Sequence, residues 1–208
     1  MLLQISDKIA ALSLRLMRWG SWLLVPLILT IMLDVITRKW VWAQQAMVNS
    51  PLGQFLTATR LQELEWHLHA VIFLLAFAAA YIRNTHVRVD IWREKQPLRK
   101  QAWVEFLGLL FFALPWVGLM VWLCWQFVAK AYVSGEGSAS MTGIGHRWVV
   151  KSFMLIGMAM LFASLIAGLI RVSVFLFGAP QNQIAALERL PMLNEPVENP
   201  TVEAGVGP

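Results

Sequence analysis

Residues 63–92 read ELEWHLHAVIFLLAFAAAYIRNTHVRVDIW. Glu63 and Glu65 lead into an apolar run from Ala70 to Ile82. The run ends at a polar, basic cluster of Arg83, His86, Arg88, Asp90 and Arg93. Charge at both ends and none between is the pattern of a membrane-spanning helix, because about 20 residues rising ~1.5 Å each cover the hydrocarbon core. Trp66 and Trp92 flank the run, at the level where amphipathic rings favour the headgroups.

The rest of the chain carries the same signature. Of 208 residues, 58% are hydrophobic and 14% charged, where soluble domains carry roughly 25% charged. Mean hydropathy is +0.61. That excess of apolar residues points to lipid rather than to a larger core. The net charge of +5 does not read as a nucleic-acid surface, because the bases cluster at the ends of apolar runs. A single cysteine, Cys124, excludes an intramolecular disulfide.

Working outward gives four spans, at about 20–36, 66–82, 104–128 and 149–177. Leu2, Ile5, Ile9, Leu12, Leu16 and Trp19 recur at steps of three and four, with Lys8, Arg15 and Arg18 off that stripe. Residues 1–19 therefore read as an amphipathic helix on the membrane surface, with Ser6 and Asp7 as caps for a later start. A targeting presequence is the alternative, but no small-residue cleavage site follows. The fold class expected is an all-α integral membrane protein of four transmembrane helices preceded by an N-terminal amphipathic interfacial helix. Pro26 falls in the first span and Pro115 in the third. Asp34 stands at the exit of the first span, as an interfacial residue. Residues 40–62 form a connector in which Ser50-Pro51 reads as a helix start. Residues 129–147 contain SGEGSASMTGIG, a turn-rich loop without the Gly-Lys-Ser/Thr ending of a phosphate loop. Residues 178–208 read as a disordered tail, apart from a short turn at 184–190. Lys and Arg concentrate in the N-terminal segment and in residues 83–101, which places both chain ends in the cytoplasm.

The candidate constellations are few. Glu63 and Glu65 suit the start of span two, where negative charge favours a helix N-terminus. No nucleophile or metal-ligand set accompanies them. His86, Arg88 and Asp90 alternate with Val87, Val89 and Ile91, so an ordered polar network with one buried side is expected in the turn after span two. His67 and His146 lie near the outer ends of spans two and four. Two facing histidines are what a haem needs, yet neither lies deep in an apolar run; no cofactor is expected. Spans two to four carry no charge through their centres and show no paired half-helices, which coupled transporters normally require. The chain reads as a partner subunit.

Glu63-Leu64, the apolar span and HVRVDIW together resemble the small membrane subunit of tripartite ATP-independent periplasmic (TRAP) transporters, the DctQ-like family. The similarity extends to the four-span layout and to Arg147, Trp148 and Lys151 at the start of span four, and covers about Arg15 to Arg171. The wording LQELEWHLHAVIFLL further resembles the branch labelled mannitol/chloroaromatic. The resemblance implies a non-catalytic subunit in the bacterial inner membrane. It would bind a large multi-span elevator-type subunit that carries sodium and substrate sites, in a system where a periplasmic binding protein delivers an organic acid. It also implies structural or interface roles, not substrate contacts, for Glu63, His86, Arg88 and Asp90; Glu65, Arg83, Arg147 and Lys151 are further candidates for such roles. Two alternatives stay open: a haem-carrying subunit of an oxidoreductase and a stand-alone small transporter.

Overall fold

The computed structural model describes residues 1–51, 53, 55–85, 93 and 95–194. The helices, in order, are α1 (Leu2–Trp22), α2 (Leu24–Lys39), α3 (Val41–Val48), α4 (Ala58–Ile82), α5 (Leu98–Gly108), a π-helical turn (Leu109–Ala113), α6 (Leu114–Val133), α7 (Trp148–Phe177), α8 (Pro180–Leu187) and α9 (Pro191–Asn194). No strand occurs among the described residues. Four stretches are long and apolar enough to cross a membrane: Leu2–Lys39, Ala58–Ile82, Leu98–Val133 and Trp148–Phe177. The protein is an all-α membrane protein.

The prolines set the breaks. Pro26 has no N–H to give to the carbonyl of Trp22, so the ladder slips one step ahead of it. Leu23 donates to Gly20 and marks the joint between α1 and α2. Pro115 acts in the same way on the third span. The backbone widens into the π turn just before it, which relieves the clash of the proline ring with the preceding turn. Other ends follow their sequence signals. Thr57 caps α4 by accepting from the N–H of Arg60. Asn84 and Gly135 take left-handed backbone just past α4 and α6. There the N–H groups of Thr85 and Glu136 return to the carbonyls of Ala80 and Ala131.

Helix α7 is the hub, packing against α1, α4, α5, α6 and α8. Its contacts with α4 and α1 depend on small residues, because helices in lipid associate through close approach rather than through expulsion of water. A Cβ on Gly157 would stand 2.7 Å from the carbonyl oxygen of Leu74, and one on Gly168 would overlap Tyr81 Oη. Ala78, Ala79 and Ala167 are fully buried.

Three segments differ from the sequence reading. In α1 the face buried by the protein is Ser6, Ala10, Ser13 and Gly20, a second stripe that the sequence reading did not single out, while Leu2, Ile5, Leu12 and Trp19 of the apolar stripe point outward. Lipid solvates an apolar stripe, so the small, hydrogen-bonding stripe is the one that gains by docking. Ser13 Oγ lies 2.9 Å from Ser164 Oγ, and Ser6 Oγ donates to the carbonyl of Ala167 at 3.3 Å. Both Ser6 and Asp7 are inside the helix rather than at its cap.

In the 40–62 connector the helix precedes Ser50-Pro51. Ser50 Oγ donates back to Met47 at 2.6 Å and closes the last turn of α3, and Pro51 cannot continue it. Beyond α7, where a disordered tail was expected, α8 and α9 form with Ala186, Leu190 and Leu193 buried; residues 195–208 of that tail lie outside the described residues. The turn expected at 184–190 belongs largely to α8. The apolar residues of this segment join the core beside Ala102 and Leu109, which their low density in the sequence concealed.

Candidate functional site

The organising carboxylate is Glu63. It sits in the second turn of α4, with its side chain 11% exposed. It reaches across to the loop between α6 and α7. One oxygen accepts from Ser138 Oγ and lies 3.5 Å from Arg147 Nη2; the other accepts from the backbone N–H of Ile144 at 2.5 Å. Thr57, at the cap of the same helix, donates to the carbonyl of Thr142 at 3.3 Å. A segment rich in Gly and Ser has little apolar surface to hold it, and each ordered residue costs conformational entropy. Charge-assisted hydrogen bonds to one buried carboxylate offset that cost. Glu63 is therefore a loop anchor as well as an acidic residue near a helix start.

The loop is stitched at its ends too. Arg147 donates its backbone N–H to the carbonyl of Glu136 at 3.0 Å, and Lys151 pairs with the Glu136 carboxylate. The Lys151 ammonium also stands 3.7 Å from the centre of the Phe127 ring, and the Arg147 guanidinium 5.8 Å from that of Trp66. Of the residues singled out in the sequence, Glu63, Arg147 and Lys151 thus meet in one polar layer at the ends of α4, α6 and α7. Glu65 is half-buried one step around α4, and its carbonyl takes the His69 ring at 3.2 Å. Arg83 is exposed at the opposite end of α4. The network expected from His86, Arg88 and Asp90 lies outside the described residues. Ser138, Glu136 and the Ile144 N–H were not foreseen, because nothing in a Gly/Ser loop marks which residue a distant carboxylate will meet.

A second polar cluster lies at the other end of the bundle. Arg171 is buried in the last turns of α7. Its Nε donates to Ser6 Oγ at 2.6 Å, Nη1 to the carbonyl of Arg189 at 2.9 Å and Nη2 to Asp7 at 3.3 Å. Arg189 Nε lies 3.1 and 3.0 Å from the two Asp7 oxygens. One carboxylate on α1 thereby ties down both α7 and the residues after α8. The sequence signal was available in Asp7, an acidic residue on an otherwise basic helix.

His67 and His69 bond back to their own helix. His67 Nδ1 meets the carbonyl of Glu63 at 2.5 Å, and its ring stacks on Trp66. His67 and His146 both line a groove of 390 Å³ between α4 and α7 whose other walls are chiefly aliphatic. Among the described residues no three His, Cys, Asp or Glu side chains cluster closely enough to hold a metal ion. Asp34, at the end of α2, is buried and paired with Arg38 one turn on.

These two polar layers lie towards the ends of the bundle and fix helices and loops relative to one another. No curated protein and no solved structure matches the chain. A family model does match, over residues 27–174, which takes in α2 to α7 and the Glu63 layer but does not resolve a branch. The chain belongs to the DctQ family, the DctQ component of the tripartite ATP-independent periplasmic transporters.

Proposed function

We propose that this small TRAP membrane subunit is the fixed, non-transporting partner of a large multi-span subunit, in a sodium-coupled, binding-protein-dependent system that takes up organic acids. The family works in systems with a large DctM subunit and a periplasmic binding protein. The observation that carries the reading is the apolar middle of spans two to four. The charged residues of these helices gather towards their ends, as Glu63, Lys151 and Arg171 do, whereas a coupled site would need ionisable groups or broken helices at mid-depth. Glu63, Glu65, Arg83, Arg147 and Lys151, with His86, Arg88 and Asp90, hold structural or interface positions in this reading. The protein sits in the bacterial inner membrane with both ends cytoplasmic.

The N-terminal half of α1 runs out along the inner interface. The 38 residues Leu2–Lys39 rise about 57 Å, nearly twice a hydrocarbon core of ~30 Å, which supports that placement. The function is tested by reconstitution in liposomes with a sodium gradient and the binding protein outside. This chain, the large subunit and the two together are compared for uptake of labelled organic acid. Only the pair should accumulate it. Uptake by this chain alone would sink the reading, and full uptake by the large subunit alone would make this chain dispensable.

A further inference from the structure

We propose that the pocket where α2, α3 and the start of α4 meet is a binding site for the headgroup of an anionic phospholipid. The pocket holds 350 Å³ and is lined by Thr37, Arg38, Gln44, Met47, Val48 and Thr57, among others; none of the described lining residues is acidic. Arg38 supplies the charge. Its Nε is held by the buried carboxylate of Asp34, at 2.9 and 2.8 Å. Its two Nη groups have no hydrogen-bond partner among the described residues, and the side chain is half exposed. Asp34 thus orients the guanidinium without using the fork that matches a phosphate. Lys39, next in the chain and exposed, leaves the neighbourhood net positive. The Gln44 amide is also without a partner among the described residues and adds two donors.

The surroundings favour a lipid over a free anion. Trp40 and Trp42, between the lining residues Arg38 and Gln44 in the chain, stack on each other and are exposed, as aromatic rings at headgroup level are. Met47, Val48 and Leu56 give the pocket an apolar wall. A glycerol backbone with the first methylenes of an acyl chain uses such a wall, and an inorganic phosphate does not. A zwitterionic lipid offers the same phosphate with a cation attached, which Arg38 and Lys39 disfavour.

The test is a titration of the full-length protein in detergent, read by native mass spectrometry, with phosphatidylglycerol, phosphatidylcholine and inorganic phosphate as probes. One phosphatidylglycerol should bind at the pocket, at least several-fold more tightly than phosphatidylcholine. Inorganic phosphate at the same concentration should not displace it. Arg38→Gln should weaken phosphatidylglycerol about tenfold, the worth of a charge-assisted contact, and Gln44→Leu by less. Val48→Trp, at an exposed wall position, should block the pocket while leaving the Asp34–Arg38 pair intact. It decides the matter if Arg38→Gln fails to fold. Unchanged phosphatidylglycerol binding in Val48→Trp, equal binding of the two lipids, or displacement by inorganic phosphate would each overturn the proposal.

Discussion

Glu63 shows how much one residue can hold. Its carboxylate has three donors from one loop, so Glu63→Gln should cost more than the loss of any one of them. The amide keeps the shape but leaves Arg147 without its counter-charge. We expect a destabilisation of about 1–3 kcal/mol, read as a lower unfolding midpoint in detergent and as faster hydrogen exchange at residues 138–144. Unchanged exchange there would refute the anchor. Ser138→Ala removes one of the three donors and leaves the other two in place, so it should lower the midpoint by less than Glu63→Gln does.

Glycines offer a sharper contrast. Gly157→Ala would press a methyl against the Leu74 carbonyl, which cannot rotate away, and should cost about 1–3 kcal/mol. Gly108→Ala meets nothing within 4 Å and sits in a helix, so it should be stabilising by about 0.5–1 kcal/mol. Unfolding midpoints of the two variants in the same detergent check both signs.

At the scale of the element, the N-terminal helix and the residues after α7 are one assembly joined through Asp7. Arg171→Met leaves Asp7, which is 41% exposed, still paired with Arg189. Asp7→Asn leaves two arginines facing each other, one of them buried. An uncompensated buried cation costs more than a solvated carboxylate, so Asp7→Asn should be the more damaging change. Limited proteolysis reads the outcome. Cleavage within residues 178–194 should speed up in both variants and more in Asp7→Asn, and equal rates in wild type and variants would contradict the clasp. The same element shows a limit of pattern reading. The apolar stripe that includes Leu2, Ile5, Leu12 and Trp19 was visible at helical spacing and these four are exposed, whereas the stripe of Ser6, Ala10, Ser13 and Gly20 that docks on protein was not singled out. Periodicity reports that a helix has two faces, and the solvent decides which one faces protein.

Across the described residues the four spans bring the start of α1 and residues 178–194 to the same side, where Asp7 meets Arg171 and Arg189, and the 134–147 loop to the other. The native Cys124 is buried, so introduced thiols can be read against a quiet background. Met141→Cys and Ile184→Cys lie at exposed positions. In intact spheroplasts a membrane-impermeant maleimide should label the first and spare the second, and the reverse pattern would invert the proposed orientation. A third thiol at Lys8, exposed on α1, should behave as Ile184→Cys does.

The amino-acid sequence by itself determined the helical class, the number of spans and the family. Those depend on the density of apolar residues and on a short run of characteristic wording, both of them local. It also singled out Glu63, Arg147 and Lys151, since charge at the edge of an apolar run stands out. Their partners were decided only by the tertiary structure. Glu63 is 75 residues from Ser138, and Arg171 is 164 from Asp7; no periodicity links such positions. The inserted helices at 180–194 were hidden for a related reason. Their few apolar side chains gain burial only once α5 and α7 have formed the surface that receives them.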